Sequence, residues 1–159
     1  MTFELLTPYP ERALPLAWEW LREYPAQNFD DYGPATYQEF AAEMGKRAVV
    51  ETTWAVATGG RICGIVAYLP YTPRSGTFHG ICFSQEVHNT GLAAEAVAAI
   101  LAGLFASGAE KVAASFFADN DRVRHFLSKL GAVDEGLLRK QTVRGGIAID
   151  MRLVAFFKE

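Results

Sequence analysis

The clearest hydrophobic pattern in the chain lies between Leu92 and Gly108. Its large apolar side chains recur at the spacing of one helical face, at Val97, Ile100, Leu101, Leu104 and Phe105. The opposite face carries mainly small side chains, at Ala93, Ala96, Ala99 and Gly103. This period predicts an α-helix that packs closely against a sheet. The apolar run Gly80–Phe83 before it predicts a strand, and the polar run Ser84–Thr90 predicts the loop that turns into the helix at Gly91.

Shorter patterns divide the rest of the chain into strands and helices. Runs bounded by turn residues predict strands at residues 2–6, 52–58, 61–69, 77–83, 111–117, 135–142 and 146–156. Helical spacing predicts helices at residues 11–24, at residues 37–44 before Gly45, and between the cap Asn120 and Gly131. Residues 26–34 are expected to form a loop. No linker or repeat interrupts this order, so residues 1–159 are expected to form one domain.

The loop before the long helix has a chemistry of its own. The first amides of a helix lack internal partners, and the helix dipole makes this end attractive to anions. Gly91 removes the side chain that would keep a ligand from the backbone, and Asn89 and Thr90 add short polar groups. A strand, such a loop and a helix together predict a pyrophosphate site. The loop matches neither the Walker pattern nor the dinucleotide-binding glycine pattern.

Four segments carry a resemblance to a known family. The run His88–Ala93 resembles the [RQ]-x-x-G-x-[GA] loop of the GNAT superfamily of N-acyltransferases, and Asn120–Ala132 is similar to its N-x-x-S-x-x-[LY]-x-x-K-L-G-F signature. The runs Glu135–Arg139 and Asp150–Leu153 look like those of the RimJ/RimL type. The resemblance implies a GNAT fold of the α/β (α+β) class. That fold has about four helices and a mixed, mostly antiparallel sheet of six to seven strands, splayed between strands 4 and 5.

The resemblance also implies where acetyl-CoA binds as co-substrate. The pantetheine arm of the coenzyme is expected to enter the gap between strands 77–83 and 111–117 and to pair with the backbone as an added strand would. The residues expected to hold the coenzyme are Ile81, Cys82, Phe83, His88, Asn89, Thr90, Gly91, Leu92, Ala93 and Asn120. Asn120 has the alternative role of capping the helix that follows it. His88 stands where the family usually has arginine or glutamine, and Asn89 stands where it usually has a second glycine.

This sequence lacks the family's catalytic acid and base at the positions that match the family's. Its glutamate base, its tyrosine acid and the serine of the RimJ/RimL type align with Phe78, Leu127 and Val123. His79, one residue past the expected glutamate, is the candidate catalytic residue, because imidazole titrates in the range that a general base needs. A purely structural His79, the loop carboxylate Glu86 and a chain of bound water are the alternatives.

Charge is distributed unevenly along a chain whose net charge is −3. Residues 1–51 carry nine acidic and four basic side chains, and residues 52–159 carry nine acidic and eleven basic ones. In the resembled fold the first part lines the acceptor side, so its acidity would attract a cationic amine, while the basic part would attract phosphates. Ordinary solvated surface charge explains the same counts. The negative total disfavours nucleic acid as a partner.

The remaining residue types narrow the class of protein further. Cys63 and Cys82 lie in predicted strands, which favours reduced, buried thiols over a disulfide or a nucleophile. The three histidines and two cysteines of the sequence give no zinc spacing, and no apolar run in it has the length of a membrane span. The N-terminus lacks a signal-peptide pattern, so a cytoplasmic location is expected. The aromatic residues between Trp18 and Phe40 are interpreted as core or as a lid over the acceptor groove.

We therefore expect an enzyme, an acetyl-CoA-dependent N-acetyltransferase without a metal. Its acceptor would be the primary amine of a peptide N-terminus or of a small molecule, which attacks the thioester directly. The alternative is a non-catalytic acyl-CoA-binding or interaction module on the same fold, which the missing glutamate, tyrosine and serine would explain. The apolar run Ala155–Phe157 leaves a homodimer open.

Overall fold

The structure, a computed structural model, describes residues 2–159, and in that range the chain forms seven strands and five α-helices. The strands are β1 (Glu4–Leu6), β2 (Thr52–Thr58), β3 (Arg61–Pro70), β4 (Ser75–Phe83), β5 (Lys111–Phe117), β6 (Val133–Arg144) and β7 (Ile147–Phe157). The α-helices are α1 (Ala13–Glu23), α2 (Pro25–Asn28), α3 (Tyr37–Arg47), α4 (Leu92–Ala106) and α5 (Asp121–Lys129). A short 3₁₀ turn, Gln85–Val87, lies between β4 and α4.

The strands form a mixed sheet in the order β1-β2-β3-β4-β5-β7-β6. Every neighbouring pair is antiparallel except β4 and β5, which run parallel. Parallel neighbours need a long crossover, and α4 supplies it here. The predicted mixed, mostly antiparallel sheet is confirmed, and its parallel pair marks the place where coenzyme binding was predicted.

Helices cover both faces of this sheet. On one face α4 packs into the main core through Leu92, Ala96, Val97, Ile100 and Leu101. On the other face α1 and α3 meet at Trp18 and Phe40, whose buried rings stack with centroids 5.4 Å apart. These two aromatic side chains are therefore core. The prediction that the small face of α4 lies on the sheet is wrong for Ala99 and Gly103, which are exposed, because the larger side chains bury more apolar area.

The helix α3 is longer than predicted. Gly45 lies inside it rather than at its end, and the last helical residue is Arg47. Its start is fixed by a capping box, in which Thr36 Oγ1 accepts a hydrogen bond from the Glu39 amide at 3.2 Å. The predicted loop at residues 26–34 also begins with an additional helical turn, α2. The extra length of α3 matters for the site, because it brings Arg47 to the middle of the sheet.

Candidate active site

A gap opens between the two parallel strands. β4 and β5 pair only from Ser75 with Lys111 to Phe78 with Ala114. Beyond that point β4 pairs with β3 alone, and β5 pairs with β7 alone, among the residues that the structure describes. We call the space between His79–Phe83 of β4 and Ser115–Phe117 of β5 the gap. The splay that was predicted between strands 4 and 5 is thus confirmed.

His79 lies at the start of this gap, in an irregularity of β4. Phe78 pairs with Tyr68 of β3, whereas Gly80 pairs with the preceding residue, Ala67, so His79 is an extra residue without a partner on β3. An extra residue of this kind is a β-bulge, which bends the strand and re-aims its side chains. The bulge coincides with the residue at which β4 leaves β5. His79 therefore points away from the buried Phe78 and toward the end of α3.

Three side chains meet at the bulge. His79 Nδ1 contacts Glu51 Oε1, and Arg47 Nε donates to both carboxylate oxygens of Glu51, at 2.9 and 3.0 Å. Arg47 also donates from Nη2 to the backbone carbonyl of His79, at 3.1 Å. The Glu51 side chain is 1% exposed, and that of His79 is 48% exposed. The imidazole is thus anchored to a buried carboxylate on one side and accessible on the other.

The loop before α4 presents backbone amides at the mouth of the gap. Asn89 (φ 61°) and Gly91 (φ 86°) both adopt the left-handed conformation, which asparagine tolerates and glycine favours. Within residues 2–159, the amides of Asn89, Gly91, Ala93 and Ala94 have no hydrogen-bond partner.

Other amides of this loop are already used inside the protein. His88 donates to Gln85 at 3.0 Å, Thr90 donates to Val87 at 3.3 Å, and Leu92 donates to the Thr90 hydroxyl at 3.3 Å. The hydroxyl of Thr90 in turn donates to the Val87 carbonyl at 2.6 Å. Fewer amides are therefore available to an anion than the sequence suggested. From His88 to Ala93, amides that are already bonded alternate with amides that are available.

A cationic side chain spans the mouth of the gap. Arg122, at the start of α5, donates to His88 Nδ1 and lies over the ring of Tyr24, 5.4 Å from its centroid. His88 Nε2 lies 3.2 Å from the carbonyl oxygen of Phe83, at the end of β4. Burial, and secondarily the charge of Arg122, lower the pKa of His88. Since Arg122 has only donors, Nδ1 accepts and Nε2 carries the proton that is donated to Phe83.

Asn120 follows the end of β5, the strand on the other side of the gap. It is 4% exposed, and its Oδ1 accepts from the Val123 amide at 3.2 Å, which is the capping contact predicted as one alternative. In the described part of the chain its Nδ2 makes no hydrogen bond. The cap and a contact from Nδ2 to a ligand are therefore compatible.

The positions where the family carries its proton-transfer groups are apolar here and belong to the core. Phe78 (5% exposed) packs edge-on against Tyr68 and Phe156, and Leu127 (2% exposed) is fully buried. Val123 is partly buried against the same core. Glu86 pairs with Arg61 at 3.0 Å near the β2–β3 turn, away from the bulge. His79 is thus the titratable side chain that the fold places at the opening of the gap.

The loop after α2 is tied to the turn between β6 and β7. The carboxylate of Asp31 accepts from the amides of Gly145 and Gly146, at 2.7 and 2.9 Å, and the Asp31 amide donates to Val143 at 2.8 Å. Asp30 accepts from the hydroxyl of Thr142 at 2.6 Å. We call these contacts the loop–hairpin latch. The latch joins the acidic first third of the chain to the last two strands.

The thiol side chains of the two cysteines have no catalytic role in this site. Cys63 and Cys82 are both free, so the disulfide alternative is wrong. Burial raises the pKa of Cys82 to about 12 and also raises that of Cys63, so both remain thiols at neutral pH. Residues 2–159 contain no group of three or more His, Cys, Asp or Glu side chains placed to hold a metal ion. No helix in that range is long and apolar enough to cross a membrane.

Comparison with known proteins decides the family. The Acetyltransferase (GNAT) family matches residues 14–132, which is more than half of the chain. The chain belongs to the GNAT family. Membership confirms the predicted class of enzyme, an acetyl-CoA-dependent N-acyltransferase, with acetyl-CoA as its co-substrate. No curated protein has a significant sequence match to this GNAT chain.

Solved structures share the GNAT fold along nearly the whole chain. Spermidine N-acetyltransferase from Vibrio cholerae in complex with CoA and spermine superposes with a TM-score of 0.77 at 19% identity, covering 98% of this chain and 94% of that one. An acetyl transferase from Salmonella typhimurium, which modifies the N-terminal serine of 50S ribosomal subunit protein L7/L12, superposes with a TM-score of 0.84 at 12% identity, covering 100% and 96%. At these identities the likeness establishes the fold alone.

The GNAT motifs do not specify three residues of the site. Glu51 and Arg47 lie 28 and 32 residues before their partner His79, and Arg122 lies 34 residues after His88. Only the spacing of Arg47 and Glu51, four residues apart across the end of α3, was a local signal of an ion pair. Their meeting with His79 depends on the packing of α3 against the sheet.

Proposed function

We propose that the chain transfers the acetyl group of acetyl-CoA to a primary amine, with the coenzyme in the gap and His79 as general base. The observation that carries the proposal is the parting of β4 from β5 at His79, because it places a titratable side chain beside an open strand edge. The open edge runs from Gly80 to Phe83, where one side pairs with β3 and the other faces the gap. The extended pantetheine arm of the coenzyme pairs with such an edge as a further strand would.

The residues around the gap suit the other parts of the coenzyme. The amides of Asn89, Gly91 and Ala93 lie at the positive end of α4 and donate hydrogen bonds to the diphosphate oxygens of the coenzyme. Asn120 Nδ2 is available to an amide of the arm from the opposite side. The amides of His88, Thr90 and Leu92 already bond within the protein. These three residues therefore contact the coenzyme through other atoms, or they only shape the loop.

The chemistry follows from these positions. The coenzyme supplies the acetyl group as a thioester. The amine nitrogen attacks the carbonyl carbon, so that a C–N bond forms and the C–S bond breaks, and CoA leaves as the thiolate. His79 takes the proton that the nitrogen loses, and a proton from solvent completes the free thiol. Holding the amine against the thioester supplies much of the rate by itself.

The acceptor is a primary amine of a peptide N-terminus or of a small molecule, and the peptide N-terminus is the acceptor that the resemblance to the RimJ/RimL type implies. Two features support this type. The runs Glu135–Arg139 and Asp150–Leu153 that resemble it lie side by side, since Leu137 pairs with Arg152 and Leu138 with Met151. Glu51, at the end of the acidic first third of the chain, lies on the side to which His79 points. Reaction with soluble amines is consistent with a cytoplasmic protein, as a monomer or a homodimer.

A thiol-release assay tests the proposal. Acetyl-CoA is incubated with the protein and a panel of peptide N-termini, polyamines and other small amines, and free CoA is measured. At least one class of acceptor is expected to release thiol, and His79→Gln is expected to lower kcat by about 10²- to 10⁴-fold. His125→Gln, on the exposed side of α5, is the matched control and is expected to keep the full rate. Coenzyme binding without turnover of any amine would instead favour the non-catalytic module.

Coenzyme binding is tested at the loop. Gly91→Ala and Gly60→Ala both introduce a side chain at a positive φ, 86° and 77°, and each is expected to lower the free energy of unfolding by roughly 1–2 kcal/mol. Only Gly91 adjoins the free amides, so only Gly91→Ala is expected to weaken CoA binding, by at least about tenfold, or ~1.4 kcal/mol. Equal CoA affinities in calorimetry would place the diphosphate elsewhere.

A further inference from the structure

We infer that Glu51 and Arg47 are positioning residues for His79, with Glu51 holding the imidazole in the tautomer that leaves Nε2 free to accept a proton. The inference rests on the proposed role of His79 as general base. It adds to that role a carboxylate and a guanidinium which the family motifs do not include. Neither residue is placed in contact with substrate.

The burial of Glu51 requires a partner. A carboxylate that is 1% exposed is costly unless it is paired and hydrogen-bonded. Arg47 meets this need with its Nε hydrogen between the two oxygens, and the backbone closes the turn because the Glu51 amide donates to the Arg47 carbonyl at 2.8 Å. Arg47 and Glu51 therefore form a fixed pair at the end of α3, and this pair does not depend on His79.

The contact to His79 goes beyond this pair. Arg47 has only donors, so both Glu51 oxygens accept from it, and Oε1 also accepts from His79 Nδ1. With the proton on Nδ1, a neutral imidazole keeps its lone pair on Nε2. In residues 2–159 that nitrogen has no hydrogen-bond partner, and the side chain is 48% exposed. The free lone pair is thus on the accessible edge of the ring.

Arg47 also fixes the backbone at the bulge. Its Nη2 donates to the His79 carbonyl at 3.1 Å, so the same guanidinium holds the strand and the carboxylate. The imidazole is consequently held at two points, through its ring and through its main chain.

These contacts assign a sequence of proton movements. The amine proton passes to Nε2 as the C–N bond forms, and the ring becomes an imidazolium that carries both protons. The negative charge of Glu51 stabilises that cation without taking its proton. When Nε2 releases the proton to solvent, Nδ1–H still faces Glu51, so the ring returns to the tautomer needed for the next turnover.

Nuclear magnetic resonance of the wild-type protein tests the tautomer directly. Nitrogen-15 shifts of the neutral imidazole of His79 are expected to show the proton on Nδ1. A neutral ring with its proton on Nε2 would overturn the inference. This measurement needs no variant and no substrate.

Kinetics of Glu51→Gln test the consequence. Glutamine keeps the shape but sets an amide N–H against the Arg47 donor, so the ring loses its fixed orientation. We expect kcat to fall about 10- to 1,000-fold, with the KM for acetyl-CoA and the Kd for CoA within about twofold of wild type. Glu43→Gln, on the exposed face of α3, is the matched control and is expected to keep both constants.

The outcomes separate this inference from the proposed function. If Glu51→Gln folds, binds CoA normally and keeps kcat within about twofold while His79→Gln loses activity, Glu51 has no positioning role and only the present inference fails. If His79→Gln keeps the full rate, the proposed base itself is wrong. Should Glu51→Gln not fold, the nitrogen shifts of the wild-type ring decide.

Discussion

At the scale of single residues, His88 shows how one substitution in a family motif is accommodated by another side chain. The family carries arginine or glutamine at this position, and an imidazole offers fewer donors. Here the guanidinium comes from Arg122, which reaches His88 from the other side of the gap. The imidazole itself is used to donate from Nε2 to the Phe83 carbonyl, so His88 links the loop to the end of β4.

The pKa of His88 gives a prediction with a definite sign. Burial and Arg122 lower that pKa from the ordinary value of 6.5. Below about pH 6.5 the unfolded chain therefore binds a proton at His88 more readily than the folded protein does. Stability is therefore expected to fall as the pH drops through this range. Arg122→Gln is expected to raise the pKa of His88 part of the way back, as followed by NMR titration.

Arg124→Gln, which removes an exposed charge from the same helix, is the control for this titration and is expected to leave His88 unchanged. A His88 titration curve that is identical in the wild type and in Arg122→Gln would show that the contact does not exist in solution.

Residue-scale predictions from the sequence were accurate where the signal was local. Gly91 was singled out because a turn residue precedes a helical period, and its φ of 86° agrees. The catalytic role of His79, which is inferred from its place beside the family's glutamate position, stays a prediction. Glu51 was missed, because a glutamate before a strand looks like solvated charge until α3 is packed against β4. Burial of that carboxylate is a property of the folded protein.

At the scale of elements, the sequence predicted strands better than helix ends. The bounds of β2 and β5 were predicted to the residue, since turn residues flank clear apolar runs. The predicted end of α3 is three residues early, because Gly45 is a common stop signal and yet here has helical backbone. The side chain of Arg47, which holds Glu51, therefore lies in a segment that the sequence assigned to a loop.

Close packing between β3 and β4 provides a test at this scale. A Cβ added to Gly64 would lie 2.3 Å from the buried ring of Phe83, so the ring or the backbone must shift to admit it. Gly64→Ala is therefore expected to lower the free energy of unfolding by roughly 1–3 kcal/mol in urea titrations. It is also expected to weaken CoA binding, since Phe83 belongs to the open edge of β4.

Gly45→Ala is the matched control for Gly64→Ala. Nothing lies within 4 Å of a Cβ at Gly45, and alanine is the better helix former. This variant is expected to raise the free energy of unfolding by roughly 0.5–1 kcal/mol. A Gly64→Ala protein as stable as the wild type would mean that Phe83 is loosely packed and that the edge of β4 is not rigid.

At the scale of the whole molecule, the loop–hairpin latch joins parts of the chain that are more than 100 residues apart. Asp31 lies 114 and 115 residues before the two glycines whose amides it binds, and Asp30 lies 112 residues before Thr142. Arg144 adds a bond to the Ala26 carbonyl at 2.7 Å and pairs with Asp119. The sequence contains both aspartates in a predicted loop and both glycines in a predicted turn, but nothing local relates them.

The latch leads to the last prediction. Asp31→Ala removes the acceptor of two hairpin amides, so exchange of the Gly145 and Gly146 amide hydrogens is expected to accelerate while the core of the sheet remains protected. Because hydrogen bonds to a charged group are lost at an exposed position, the free energy of unfolding is expected to fall by only about 1 kcal/mol. Asp121→Ala, at the exposed start of α5, serves as the control and is expected to leave the hairpin amides unchanged. Unaltered exchange of both glycine amides in Asp31→Ala would mean that the turn between β6 and β7 is ordered by its own strands, and that the loop after α2 moves independently of it.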